Sequence, residues 1–288
     1  MIVDREKEMS LFKNLLDRNL SYRIMNICEK GGKGKSYLVR AFQQHCKEIG
    51  SSCSLIEFTV DHAMSPIDCM REIVDSLGEH YFVEFIRQEM DFHHQQPFIQ
   101  IGGGKSEGEV SITGNLQDAE IDRVAGRDNI SISNISIINQ DVSQNRLLYF
   151  ERVLTKIFKM ELEILCKTEK VVIIFDGVEH TPSSTANWLW KHLLLALRER
   201  STYNLLIILS GRPEGSRPTF APMHEWKHIL YEIKAFGDFK REHVLEYFQR
   251  KLDLPIEESD IDAYYRVCKN NPLIMGQIGD ILFSETWK

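Results

Sequence analysis

The sequence contains little that would place the protein in a membrane or outside the cell. Its 288 residues include no apolar run near the roughly 18 residues that a membrane span needs. The N-terminal segment MIVDREKEMS is charged where a secretory signal has an apolar core. The six cysteines are scattered without C-x-x-C pairs, which is typical of reduced thiols and not of a disulfide framework or a zinc ribbon. We therefore expect a cytoplasmic protein with no membrane partner.

Basic charge is also scarce. The chain has 35 Lys and Arg against 42 Asp and Glu, a net charge of −7. This balance argues mildly against nonspecific binding to nucleic acid, although it leaves a local basic face open. The 43% hydrophobic and 27% charged content is typical of a globular protein, and the length suffices for one large or two modest domains.

Four short apolar runs are predicted to be strands of a parallel sheet. They are rich in Ile, Val and Leu and do not alternate cleanly, as expected for strands covered on both faces. The runs are YRIMNIC (22–28), SLIEFTV (54–60), KVVIIFD (170–176) and NLLIILS (204–210). Amphipathic helical patterns lie between them, after Ser36, at 145–166 and at 186–200. Alternating strands and helices predict a three-layer α/β fold with right-handed crossovers.

The C-terminal part is predicted to be helical. Helical patterns cover FKREHVLEYFQRKL and DIDAYYRVCKNNPLIMGQIGDILF. We therefore expect a sheet domain at 1–234 and a small helical lid at 235–288.

One stretch interrupts the alternation of strands and helices. Residues 108–139 are rich in Gly, Asn and Ser, and between Ile130 and Ile137 isoleucine alternates with small polar residues, apart from one break. This pattern predicts a β-hairpin-rich insertion at about 95–142. Since the insertion supplies no catalytic residue, we interpret it as a surface for self-association or partner capture.

The segment EKGGKGKS (29–36) carries a phosphate-binding pattern. It matches G-x-x-x-x-G-K-S/T at Gly34, Lys35 and Ser36, with Glu29 in place of the opening glycine. A predicted strand precedes it and a predicted helix follows, the context in which backbone N–H groups and a helix dipole hold an anion. We expect Lys35 to reach the β- and γ-phosphates of a nucleotide and Ser36 to bind Mg²⁺.

The strand VVIIFD ends in a carboxylate that suits the same chemistry. Asp176 follows five apolar residues, where P-loop proteins carry the acidic residue that holds Mg²⁺ and its waters. Glu179 lies three positions later and is a candidate to polarise the attacking water.

Three other motifs are weaker. The run GGGKS (102–106) is followed by the strand-like EGEVSITG, so we interpret it as a flexible glycine turn. HEWKH (224–228) has the spacing of a zinc protease, but nearby prolines and a strand-like ILYEI argue against the long helix that such a site needs. The pair His93-His94 next to two glutamines is interpreted as a polar loop.

The order of these motifs resembles the STAND class of signal-transducing P-loop ATPases (NACHT- and NB-ARC-like proteins), which are relatives of the AAA+ proteins. Five segments carry the resemblance: IVDREKEMSLFKNLL, EKGGKGKS, IIFDGVEH, IILSGRP and KNNPLIMGQIGDIL. The resemblance implies a P-loop fold, ATP or ADP with Mg²⁺ as ligands, and a role in regulatory or immune-like defence signalling.

The resemblance also implies roles for individual residues. Arg5, Asn271 and Pro272 would lie near the nucleotide base, and Arg212 would sense the γ-phosphate from the end of its strand. Asp176 would bind the metal with Ser36, and Glu179 would be the catalytic base. The other expected nucleotide-binding residues form the loop and the start of its helix: Gly31, Gly32, Lys33, Gly34, Lys35 and Tyr37.

Three functions remain open at this point. The first is an ATP-dependent switch that hydrolyses slowly and acts through self-association or effector domains. The second is an initiator-like ATPase that works on DNA, and the third is a nucleotide-binding scaffold without hydrolysis. The sequence ends about fifteen residues after Pro272, so it is either a fragment of a longer protein or a reduced member of the family.

Glu29 is the main departure from the family pattern. We expect its carboxylate to lie at the mouth of the loop and to repel phosphate, partly balanced by Lys30 and Lys33. This interpretation predicts weakened ATP binding and slow turnover.

Overall fold

A single five-stranded parallel sheet organises the chain. The computed structural model describes residues 5–94, 133–199, 204–213, 220, 222–237, 240–251, 257–268 and 271–286. The strands are β1 (Ile24–Cys28), β2 (Ser52–Glu57), β3 (Val171–Asp176), β4 (Leu205–Gly211) and β5 (Leu230–Ile233). They pair in the order β2-β3-β4-β1-β5, all parallel. The four predicted strands and the α/β fold class are confirmed, and the strand-like ILYEI supplies β5.

Ten α-helices accompany the sheet in the described ranges. They are α1 (Glu6–Leu16), α2 (Lys35–Glu48), α3 (Pro66–Leu77), α4 (Val83–His94), α5 (Ser133–Thr168), α6 (Ser183–Trp188), α7 (Leu195–Glu199), α8 (Arg241–Glu246), α9 (Glu258–Cys268) and α10 (Pro272–Thr286). A π-helical segment, Leu189–Leu194, joins α6 to α7, and another, Tyr247–Lys251, follows α8.

The three central strands, β1, β3 and β4, are buried on both faces because helices cover each side of the sheet. On one face, alternate residues of β1, β3 and β4 pack with α1 and α2. These residues are Met25, Ile27, Val172, Ile174, Leu206 and Ile208. The intervening residues of the central strands, such as Ile24, Ile173 and Ile207, are also fully buried. Burial on both sides explains the continuous apolar runs in the sequence.

Local sequence features fix how the helices begin and dock. Phe12 of α1 and Phe42 of α2 stack with ring centroids 4.3 Å apart, which joins the two helices over the sheet. Ser65 caps α3 by accepting from the N–H of Asp68, whose carboxylate accepts from the N–H of Ser65 in return. Pro66 fits the first helical position because its missing N–H has no partner there.

The predicted β insertion is wrong from residue 133 onward. Residues 133–168 form the continuous helix α5, which begins twelve residues before the helical pattern at 145. Isoleucine and valine at 135, 138 and 142 also fit helical spacing, which the apparent alternation obscured. Extending an existing helix costs less than nucleating a new one, so the segment continues α5 toward its N-terminus. The rest of the predicted hairpins, including GGGKS, lies outside the described residues.

The chain divides into two compact units. One comprises Met1–Phe82 with Phe158–Lys288, and the other is Val83–Ile157. In the second unit the rings of Phe92 and Phe150 stack 3.7 Å apart, and the guanidinium of Arg146 lies 5.4 Å from the centre of the Phe92 ring. The first unit contains the sheet and every candidate site residue.

The C-terminal helices α8 to α10 have an apolar cluster of their own. It is formed by Val244, Tyr247, Phe248, Ile261, Cys268 and Met275. The helices predicted for this region are therefore present. Their status as a separate lid beginning at residue 235 stays a prediction, because they fall in the same compact unit as the sheet.

Candidate functional site

The phosphate-loop pattern lies between β1 and α2, at the carboxyl end of the sheet. Gly32 and Gly34 have φ values of +76° and +83°, a region that residues with a Cβ rarely adopt. Gly34 directly precedes α2, so Lys35 and Ser36 form the first turn of that helix. A glycine turn that leads into a helix N-terminus gathers backbone N–H groups and favours an anion.

Lys35 is largely buried at the base of this loop, with 8% of its surface exposed. Its ammonium donates to the carbonyl oxygens of Glu29 at 2.6 Å and Lys30 at 2.9 Å. Burial lowers the pKa of Lys35, while the nearby carboxylates of Glu179 and Asp176 act in the opposite direction. The cation is therefore held between the loop and the acidic residues.

The strand register brings the acidic residues to the loop. Asp176, the last residue of β3, pairs with Ser210 of β4, and Gly211 of β4 pairs with Cys28 of β1. The carboxyl ends of β1, β3 and β4 are thus neighbours, and each carries one predicted part of the site. Asp176 is only 7% exposed, which limits how its carboxylate can be oriented.

Glu179 and Arg212 form an ion pair across the strand ends. The Nε of Arg212 lies 3.3 Å from Oε1 of Glu179, and the backbone N–H of Arg212 donates to Oε2 at 3.0 Å. Only 10% of the Glu179 side chain is exposed, against 54% for Arg212. Both carboxylate oxygens of the predicted base are therefore engaged by the predicted sensor residue.

Two glycines allow the approach of these side chains. A Cβ at Gly211 would lie 2.5 Å from Oε2 of Glu179, and a Cβ at Gly31 would lie 3.2 Å from the Cζ of Arg212. The Arg212 guanidinium thus rests against the loop, and neither position accommodates a larger residue without movement.

The C-terminal helices contribute from the other side of the loop. A Cβ at Gly32 would lie 2.7 Å from Oδ1 of Asn271, so that amide covers Gly32. Pro272, the first residue of α10, approaches Gly34. Asn271 and Pro272 therefore lie against the loop, while their predicted position beside a nucleotide base stays a prediction.

Arg5 is buried beside the loop. Its Nη2 donates to the carbonyl oxygen of Lys33 at 3.0 Å, and its guanidinium lies 4.3 Å from the centre of the Phe236 ring. A cation–π contact and a backbone hydrogen bond thus both stabilise the buried guanidinium.

A cavity of about 710 Å³ joins these elements. Its lining includes most of the predicted site residues, namely Arg5, Gly31, Gly32, Lys33, Gly34, Lys35, Ser36, Tyr37, Asp176, Glu179, Arg212 and Pro272. Tyr247, Met275 and Gly276 close the side formed by the C-terminal helices, and Glu57 and Asp61 lie on the side of β2. The volume is within the range of about 300–1,000 Å³ that small-molecule sites occupy.

The carboxylate of Glu29 has two backbone partners that the sequence did not predict, while its repulsion of phosphate stays a prediction. Its Oε1 accepts from the N–H of Lys30 at 2.7 Å, and its Oε2 accepts from the N–H of Phe236 at 2.9 Å. The carboxylate therefore faces the segment after β5, and Glu29 is not among the described residues that line the cavity. The contact with Phe236 could not be predicted because Phe236 is 207 positions away and offers a backbone group, which no side-chain pattern reveals.

Several residues at this site could not be identified from the sequence. Phe236 and Tyr247 carry no motif, so only the fold identifies them. Gly177 and Gly211 could have been suspected from the sequence, because a glycine at the end of a strand often marks a place where another backbone or a ligand comes close. Ser210 is fully buried beside Asp176, and its hydroxyl has no hydrogen-bond partner in the described part of the chain.

The Mg²⁺ prediction fits the donor set at the strand ends. The Ser36 hydroxyl and the Asp176 carboxylate are oxygen donors that line the same cavity, as Mg²⁺ prefers. In the described ranges no group of three or more His, Cys, Asp or Glu could hold a metal ion. Mg²⁺ in nucleotide sites takes most ligands from phosphates and water, so two protein oxygens suffice.

The structure does not support a zinc site at the HEWKH segment. His224 and Glu225 lie in the short 3₁₀ turn Met223–Glu225, not within a long helix. Glu225 pairs with Arg198, whose guanidinium lies 5.1 Å from the centre of the Trp226 ring. This segment is explained by packing against the sheet domain.

Comparisons with known proteins give a likeness to solved structures. No protein-family model matches the sequence. No curated protein matches it either. The chain is similar to a DNA replication initiation factor (13% identity over 96% of this chain and 60% of that one, TM-score 0.47). It is also similar to AMPPCP-bound DnaA from Aquifex aeolicus, with 15% identity over 98% of this chain and 63% of that one and a TM-score of 0.47. A RuvB variant from Thermotoga maritima is similar as well, with 10% identity over 97% of this chain and 62% of that one and a TM-score of 0.45.

The chain spans about three fifths of the length of these solved structures. Its α/β P-loop fold is established by its own sheet order and by the loop between β1 and α2. Within the described residues, no helix is both long and apolar enough to cross a membrane.

Proposed function

We propose that the chain is a nucleotide-dependent switch that binds ATP, hydrolyses it slowly and thereby controls self-association or the output of effector domains. The observation that carries this proposal is the shared cavity at the carboxyl ends of β1, β3 and β4. The loop lysine Lys35, the acidic residues Asp176 and Glu179 at the strand ends and the arginine Arg212 line it together with residues of the C-terminal helices. A STAND-like regulatory or defence ATPase is the function that this combination supports best.

The loop residues would hold the phosphates. Lys35 and the N–H groups at the start of α2 provide positive charge on one side, and Arg212 provides it on the other. Ser36 and Asp176 would hold Mg²⁺, which neutralises phosphate charge when it is bound. Arg5 and Tyr37 would flank the remainder of the nucleotide, toward Tyr247 and α10.

The ion pair between Glu179 and Arg212 supports slow turnover. A carboxylate with both oxygens engaged is a poor base until one of them is released. The planar guanidinium of Arg212 binds phosphate oxygens in a bidentate manner, so a γ-phosphate would compete with Glu179 for it. Movement of Arg212 would then free Oε1 of Glu179 to polarise a water molecule.

The same ion pair favours one alternative. If Arg212 never leaves Glu179, the chain is a nucleotide-binding scaffold without hydrolysis. An initiator-like ATPase acting on DNA is a further alternative, but the net charge of −7 gives it no support.

Lys35→Ala tests the proposal directly. Loss of the charge-assisted bonds should weaken ATP binding about 10- to 150-fold, since such bonds contribute about 1.5–3 kcal/mol. Lys47→Ala removes an exposed lysine from the same helix α2 and serves as the matched control. Calorimetry gives the affinities, and sedimentation with ATP or ADP gives the oligomeric state. A wild-type chain that binds no nucleotide would contradict the proposal, and binding without turnover would favour the scaffold.

A further inference from the structure

Glu29 connects the start of the phosphate loop to the segment that follows β5. Its side chain accepts from the backbone N–H of Phe236 at 2.9 Å, while its own carbonyl oxygen accepts from the ammonium of Lys35 at 2.6 Å. Glu29 thus contacts the segment after β5 through its side chain and the loop lysine through its backbone. A glycine at this position could make only the contact through its carbonyl.

Phe236 is held to the loop a second time through its ring. The guanidinium of Arg5 lies over that ring at 4.3 Å and donates to the carbonyl oxygen of Lys33 at 3.0 Å. Phe236 and Arg5 are 8% and 5% exposed, so water competes little for these contacts. These contacts form a closed circuit: Glu29 binds Phe236, Phe236 contacts Arg5, and Arg5 binds Lys33, which belongs to the same loop as Glu29.

We infer that Glu29 is a positioning residue for the phosphate loop. Its carboxylate fixes the opening turn, so that the carbonyl oxygens of Glu29 and Lys30 hold the Lys35 ammonium at the base of the cavity. Since Phe236 lies between β5 and α8, Glu29 also ties the geometry of the loop to the chain that enters the C-terminal helices. This inference rests on the proposed nucleotide-binding function.

A positioning role and electrostatic repulsion predict opposite effects of substitution. Glu29→Ala removes both acceptor oxygens. Glu29→Gln removes the charge and keeps one oxygen, which accepts from the N–H of Phe236, while its NH2 group replaces the oxygen that accepts from the exposed N–H of Lys30. Repulsion predicts that both variants bind ATP more tightly. Positioning predicts that Glu29→Ala binds ATP about tenfold more weakly, a change of about 1.4 kcal/mol, and that Glu29→Gln stays within about threefold of the wild type.

The test combines two measurements on the full chain. Calorimetry gives the affinity for ATP, and amide hydrogen exchange with ¹⁵N-labelled phenylalanine reports on the Phe236 N–H without nucleotide. We expect exchange at Phe236 to be about tenfold faster in Glu29→Ala and less affected in Glu29→Gln. Glu48→Ala, which removes an exposed glutamate of α2, should change neither quantity.

Each outcome decides one point. Unchanged exchange at Phe236 in Glu29→Ala overturns the positioning role, as does tighter ATP binding in either variant. A wild-type chain that binds no ATP overturns the proposed function, while the exchange measurement still shows whether Glu29 holds Phe236.

Discussion

Gly177 links the two acidic residues of the candidate site, and its replacement by alanine should be costly. Its φ is +71°, and a Cβ would lie 2.3 Å from the carbonyl oxygen of Phe58. The N–H of Phe58 donates to the carbonyl oxygen of Asp176 at 2.9 Å, so the two backbone segments are already in contact. Gly177→Ala must therefore displace backbone and not merely rotate a side chain.

Gly50→Ala provides a control with the same backbone conformation. Gly50 has a φ of +70°, and no atom lies within 4 Å of the position that a Cβ would take there. The left-handed conformation costs an alanine about 1–2 kcal/mol, part of which is offset by lower entropy of the unfolded chain. We therefore expect Gly50→Ala to lower the free energy of unfolding by about 1 kcal/mol.

The Gly177 variant should lose considerably more. Overpacking adds about 1–3 kcal/mol. Disruption of the hydrogen bond from Phe58 adds about 1 kcal/mol. The expected total is about 3–5 kcal/mol, and Asp176 and Glu179 should be displaced with the backbone.

Urea unfolding followed by tryptophan fluorescence measures the difference between the two variants. With an unchanged slope, the shift in midpoint gives the change in stability. Equal destabilisation by Gly177→Ala and Gly50→Ala would refute the predicted backbone clash. The predicted clash would also be refuted if the Gly177→Ala variant kept the stability of the wild type and hydrolysed ATP at the wild-type rate.

Two further predictions concern the ion pair at the strand ends. Arg212→Ala should reduce the preference for ATP over ADP about tenfold while ADP affinity changes less than about twofold, because only ATP offers a γ-phosphate to the guanidinium. Calorimetry with both nucleotides measures this, and equal losses for ATP and ADP would argue against it. Glu179→Gln should retain ATP binding but slow hydrolysis by about 100-fold or more, since the amide cannot accept a proton. A single-turnover assay that still shows wild-type hydrolysis would mean that another group activates the water.

Much of the sheet could be predicted from the sequence because burial on both faces leaves a local signature. The run VVIIFD became β3 with every residue buried, and Asp176 fell at its end as expected. The phosphate loop was equally local, since Gly34, Lys35 and Ser36 act through a strand and a helix directly beside them.

The contacts that organise the site could not be predicted because they join distant positions or involve backbone groups. The hydrogen bond from Phe236 to Glu29 and the approach of Phe58 to Gly177 both depend on a backbone atom. The start of α5 was missed for a different reason. Short apolar runs fit strand and helix spacing alike, and the adjoining helix decided the outcome.

The strand order also determines when this protein can fold during its synthesis. The neighbours of β1 in the sheet are β4 and β5, and Ile24 pairs with Ile207 and Leu230. A ribosome adding about 5–20 residues per second needs roughly 10–40 s to travel from β1 to β4. Throughout that interval the apolar segment of β1 lacks the two neighbours it has in the folded sheet, and its N–H and C=O groups are open to pairing with another chain. The phosphate loop after β1 therefore acquires its supporting strands only once the chain has been synthesised through β4 and β5.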